Sequence, residues 1–63
     1  MNLYFIKDED DEVVGVYFTR TRNTANALQA AGANDVVMPQ VALVRTIEDD
    51  SELDSLDGEM LLL

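Results

Sequence analysis

The chemistry this sequence could perform lies in its carboxylates. Asp8, Glu9, Asp10, Asp11 and Glu12 are five consecutive acids between two apolar runs. A second block, Glu48, Asp49, Asp50, Glu52, Asp54, Asp57 and Glu59, adds seven more, and only Asp35 stands outside both. Three uses of such residues can be weighed. Calcium ligation suits the alternating Asp8, Asp10 and Glu12, but a helix-loop-helix calcium loop also needs glycine at its sixth position and glutamate at its twelfth. Val13 and Thr19 stand there, and Ser55 and Leu61 occupy the same positions counted from Asp50. Acid–base catalysis needs a carboxyl whose pKa burial has raised. These acids sit in loop-like runs, and the chain has no histidine or cysteine to complete a nucleophile–base pair. The reading is no enzyme, no catalytic residue, no metal and no cofactor.

The third use is the charge itself. Two unit charges about 6 Å apart in water repel by roughly 0.7 kcal/mol before screening. Five in a row therefore work against the folded state. A surface that carries this cost is expected to bind something basic. Carboxylates along a hairpin tip and a short helix imitate a phosphate backbone and fit a Lys/Arg groove built for nucleic acid. The competing reading is solubility, since net charge opposes aggregation. Its sharper form is a protein from a high-salt cytoplasm, with many acids, one lysine and small Ala and Val residues. Arg20 and Arg22 precede a helix and could hold a phosphate, but with this charge balance they are expected to pair with neighbouring acids.

Composition bounds the rest. Sixty-three residues make one domain, 1–63, burying roughly 60% of the surface its unfolded chain exposes. An apolar fraction of 48% belongs to a folded protein rather than an acidic tail. A net charge of −9 with four basic residues argues against direct binding to nucleic acid or to an anionic membrane. Met1-Asn2-Leu3 has no basic leader character and no run approaches the ~20 apolar residues of a membrane span, so the expected location is cytoplasmic.

The elements that must position the acids follow in order. Asn2–Lys7 and Val13–Phe18 read as strands rich in aromatic and β-branched residues. The acidic run joins them as a hairpin loop, and without Asn-Gly or Asp-Gly it reads as open. Gly15 marks a bulge or the close approach of another backbone. Thr19 or Thr21 is expected to cap a helix running to Ala31, with Gly32 as its left-handed end. Thr21, Ala25, Leu28 and Gly32 form its narrow apolar stripe. Pro39 interrupts an extended segment, after which Val41, Leu43, Arg45 and Ile47 alternate with Ala42, Val44 and Thr46. Asp50 or Ser51 could open a short helix ended by Gly58, and Met60–Leu63 should pack as a strand or a lid. The fold class is α+β: a small antiparallel sheet of three to four strands with one main helix on one face, ββαβ plus a short C-terminal helix or strand. Both sheet faces are apolar and one thin helix covers only one. The other needs Leu53, Leu56 and the tail, or a second copy, leaving monomer and homodimer both open.

The length, the absence of Cys and His and the two acidic blocks together resemble the small acidic proteins that phages use against host defences, particularly the DNA-mimicking anti-CRISPR proteins. That resemblance is of class and not of motif. It implies an inhibitor, acting in the host cytoplasm, that blocks DNA recognition by a CRISPR effector complex. Asp8–Glu12 would make the main contact and Glu48, Asp49, Asp50, Glu52, Asp54 and Asp57 the second. The alternative is a charge-solubilised structural or homodimeric domain without mimicry.

Overall fold

The structure is a computed structural model that describes residues 1–49 and 51–63. Two strands come first, β1 (Asn2–Lys7) and β2 (Val13–Thr19), then a helix, α1 (Thr24–Ala33). Strand β3 (Gln40–Thr46) follows, then a short 3-10 helix over Ser51–Leu56 and strand β4 (Glu59–Leu62). The four strands form one antiparallel sheet in the order β3-β1-β2-β4. This is the expected small α+β fold with the tail resolved as a fourth strand. Strands β2 and β3 run parallel with β1 between them, and α1 makes the connection across one face.

That face holds the core. Tyr4 and Ile6 of β1 and Tyr17 of β2 pack against Ala27 and Ala31 of α1. The bulk comes from the sheet and the helix contributes methyl groups, so its backbone lies close over the rings. The apolar stripe expected at Ala25 and Leu28 is therefore corrected: both are exposed, Leu28 at 40%. A stretch of mostly alanine carries little periodic signal, and the bulky sheet residues decide which alanines face inward. The caps are corrected too. Asn23 is the N-cap, its side-chain oxygen accepting the Ala25 N–H at 2.9 Å. Thr19 and Thr21 instead bond to one another, which shapes the preceding turn. Gly32 lies within the helix, and the left-handed residue is Asp35 at φ 63°. The Val36 N–H reaches the Ala31 carbonyl and the Asp35 N–H that of Gly32, the two bonds of a Schellman end with aspartate in the usual glycine place.

Two bulges set which side chains share a face. In β2, Val14 is the extra residue between the pairs Ile6–Gly15 and Lys7–Val13, which turns Val14 toward the core. In β3, Val44 is the extra residue between Tyr4–Leu43 and Leu3–Arg45. The alternation expected from Val41 to Ile47 is thereby broken: Val41 and Leu43 share the helix side, and Arg45 turns to the opposite face. That outer face carries Leu3 beside Phe18 and Phe5 beside Val16, all half-buried. The tail does not lie over them as a lid. It joins the sheet edge, leaving Leu61, Leu62 and Leu63 exposed at 43%, 60% and 81%. The expectation that Asp50 opens the short helix falls outside the described residues.

Gly15 is where the two halves of the chain close on one another. A β-carbon there would lie 2.9 Å from the Leu61 carbonyl oxygen and 2.8 Å from the Met60 methyl. The methyl can swing away, but the carbonyl belongs to the β2–β4 ladder. Gly15→Ala is therefore expected to cost about 1–3 kcal/mol by overpacking, read as a lower denaturant midpoint with loss of β4 amide protection.

Candidate functional site: an acidic hairpin end

The run Asp8–Glu12 forms a closed turn, which corrects the open loop expected from its sequence. The Asp11 N–H donates to the Asp8 carbonyl at 3.1 Å and the Asp8 N–H to the Glu12 carbonyl at 3.0 Å. Asp11 sits at φ 63°. This is a three-residue hairpin loop whose left-handed position is normally glycine. Aspartate is tolerated there because its short side chain suits that region better than most. Asp8 Oδ1 also accepts the N–H groups of Asp10 and Glu12, at 2.9 and 3.1 Å. A carboxylate that takes two backbone donors replaces the turn chemistry that Asn-Gly would have supplied.

The five acids thus divide by role. Asp8 is half-buried and engaged in the turn, and Asp11 lies 3.4 Å from the Lys7 ammonium in an exposed pair worth a few tenths of a kcal/mol. Glu9, Asp10 and Glu12 project from a turn whose backbone is fixed, and all three are exposed. Asp35, at the end of α1, comes to the same end of the molecule. With Asp8 and Glu9 it rims a shallow cleft of about 390 Å³ whose apolar lining includes Val14, Val36 and Leu62. Sequence reasoning left Asp35 out of the site. Helix–sheet packing brings it beside Asp8 and Glu9, far earlier in the chain.

The second acidic block lies at the opposite end. Ile47 and Met1 exchange backbone hydrogen bonds at 2.8 and 3.1 Å, and Gly58 donates to the Phe18 carbonyl at 2.7 Å. Both place the described members of the block, Glu48, Asp49, Glu52, Asp54, Asp57 and Glu59, beside the start of β1, while Asp50 lies outside the described residues. The five steps of β1 put about 17 Å between its ends. The two blocks therefore do not form one patch. The far block also meets the arginines: Arg20 pairs with Asp54 through its guanidinium, and its N–H donates to Asp57 Oδ1 at 3.0 Å. Arg45, opposite Leu3, lies at this end as well. The pairing expected of Arg20 with neighbouring acids is present. Among the described residues, the hairpin end sets Asp8–Glu12 and Asp35 against Lys7 alone. The far end sets Glu48, Asp49, Glu52, Asp54, Asp57 and Glu59 against three arginines.

No three or more acids among the described residues converge as metal ligands, and no described helix is long and apolar enough to cross a membrane. The Tyr17 phenol is displaced from its ordinary titration. Burial, then the charges of Asp57 and Glu59, raises the Tyr17 phenol above its ordinary pKa of 10.0. The folded state keeps this proton where the unfolded chain gives it up. The stabilisation is complete below pH 10 and declines as pH rises through the folded value. Alkaline melts of the parent should fall more steeply above pH 10 than those of Tyr17→Phe, which lacks the proton.

Comparison with protein-family models, with curated proteins and with solved structures finds no match to this chain. The geometry of the turn has direct consequences for stability. Asp11→Gly should stabilise the fold by about 0.5–1 kcal/mol, because glycine meets the left-handed position without a β-carbon. Asp8→Ala should destabilise it by about 1 kcal/mol through the loss of two acceptor contacts. Thermal melts of the two variants should shift in opposite directions, although each removes one negative charge.

Proposed function

We propose that the protein binds a basic, nucleic-acid-binding surface of a partner protein and occupies it in place of DNA or RNA. The hairpin end is the principal contact. The observation that carries this reading is the rigid acidic turn: Glu9, Asp10 and Glu12 are exposed on a backbone held by Asp8 and the left-handed Asp11, with Asp35 alongside. A merely solubilising surface has no need to hold like charges in one geometry. A surface that must match a Lys/Arg groove does, because preorganisation lowers the cost of ordering on binding.

The charge density fits the same reading. The molecule carries a net charge of −9 with a longest extent of 33 Å, an excess that suits a groove lined by Lys and Arg. The acids gather at the two ends of the strands, and the hairpin end is the one with fewer basic residues beside it. The far block contributes less, because Asp54 and Asp57 are already engaged by Arg20. In the finer form of the proposal, the partner is a CRISPR effector complex and the protein is a phage-borne inhibitor of its DNA recognition.

The test is retention of partners from bacterial lysate at low and high salt, with each retained protein then assayed for competition against duplex DNA. The parent should hold a basic nucleic-acid-binding complex at low salt, lose it at high salt and displace its DNA. Rim charges act mainly on association rate and salt dependence. Glu9→Gln/Asp10→Asn/Glu12→Gln, which leaves Asp8 and Asp11 in place, should weaken binding at least tenfold with a melting temperature no lower than the parent's. Equal binding by this variant would sink the hairpin as the contact. A protein that retains nothing and unfolds as salt is removed is instead one whose acids serve a high-salt environment.

A further inference from the structure

The two edges of the sheet are built differently. At one edge, β3 begins directly after Pro39, carries a bulge at Val44 and turns Arg45 outward. Each of these discourages the addition of another strand. At the other edge, β4 has none of them. It reads Glu59-Met60-Leu61-Leu62, followed by Leu63, with no proline, no bulge in its pairing with β2 and no charged side chain from Met60 to Leu63.

The register shows which groups this edge offers. Leu63 donates its N–H to the Val14 carbonyl at 3.0 Å, and Val16 is opposite Leu61. In an antiparallel ladder these groups alternate. Leu61 and Leu63 therefore spend their backbone groups on β2, while the N–H and carbonyl groups of Met60 and Leu62 point away from the sheet. Among the described residues no strand pairs with them. The leucines beside them are among the most exposed apolar side chains of the molecule, Leu62 at 60% and Leu63 at 81%.

We propose that β4 pairs antiparallel with β4 of a second copy of this chain, making one continuous eight-stranded sheet about a two-fold axis through Leu61. The outward groups dictate this register. Met60 of each chain lies opposite Leu62 of the other, and the two pairs exchange four backbone hydrogen bonds. Leu61 meets its own counterpart as a non-hydrogen-bonded pair, the closer kind, with Cα atoms about 4.5 Å apart. The arrangement is isologous, closes on itself and leaves no new edge at this position. Charge permits it. Glu59 falls opposite Leu63 of the second copy, so the two Glu59 residues are about 13 Å apart, beyond the ~8 Å screening length at physiological ionic strength. Leu62 also lines the cleft that Asp8, Glu9 and Asp35 rim, so the seam borders the acidic end, but the register rests on the backbone groups of β4 alone and stands without that site.

The salt dependence separates this association from partner binding. Two chains of charge −9 repel over long range, so added salt should strengthen self-association several-fold, whereas it weakens binding to a basic groove. Amide exchange of the parent protein across a dilution series reads the interface directly. Protection of the Met60 and Leu62 amides should rise with concentration and with salt, while those of Leu61 and Leu63 stay protected throughout. In sedimentation, Leu62→Pro should weaken self-association at least tenfold with the β2–β4 pairing intact, since the N–H it removes points outward and the preceding residue is already extended. Leu61→Lys should do the same by placing two cations face to face. Exchange at Met60 and Leu62 that does not change from micromolar to millimolar protein overturns the proposal, as does a dimer that survives both substitutions.

Discussion

The contact of Ala27 and Ala31 with Tyr4, Ile6 and Tyr17 is the one on which the rest of the structure depends. A chain of 63 residues has little core, and this one places its large side chains on the two central strands and only methyl groups on the helix. The helix backbone can then approach the sheet closely, so ten helical residues cover the middle of one face. The same closeness carries the helix end to the hairpin end of the sheet. There Asn34 donates to the Ala30 carbonyl at 2.8 Å and reaches the Met60 sulfur, and Asp35 comes beside Asp8 and Glu9. A bulkier residue at Ala31 would lift the helix and separate the acids that form the site.

The fold sets that apolar closure against charge repulsion and divides the repulsion between two ends. At the far end, arginines offset it and tie the acids into the backbone, as Arg20 does with Asp54 and Asp57. At the hairpin end the acids themselves build the turn. Asp8 supplies the acceptor and Asp11 the left-handed residue. Two members of the run are thus structural, and the remaining three are held in place by them. Substituting the run as a block would confuse these roles, whereas the structure separates them residue by residue.

The sheet has a second asymmetry, between its faces and edges. One face is covered by α1, and the other keeps Leu3, Phe5, Val16 and Phe18 half-buried by packing against one another across β1 and β2. One edge ends in a bulged strand after proline and the other in a plain leucine strand. Charge gathers at the two ends of the strands, and the most exposed leucines lie along the β4 edge.

Much of this was legible in the sequence. Runs of aromatic and β-branched residues marked β1 and β2, an alanine-rich segment marked the helix, Pro39 marked an edge, a bulge or a break, and Gly15 marked a bulge or a close approach. The two acidic blocks were plain from the sequence alone. These properties are local, because strand propensity, helix propensity and charge reside in neighbouring residues. Tertiary structure decided the rest. It turned Ala27 and Ala31 inward instead of Leu28, because packing against Tyr4 and Tyr17 selects the helix face when periodicity is weak. It ended the helix at Asp35 instead of Gly32, since the Schellman bonds form where the chain must leave for β3. It placed the acidic blocks at opposite ends and brought Asp35 to the first of them, because spacing along a chain carries no information about distance through a sheet.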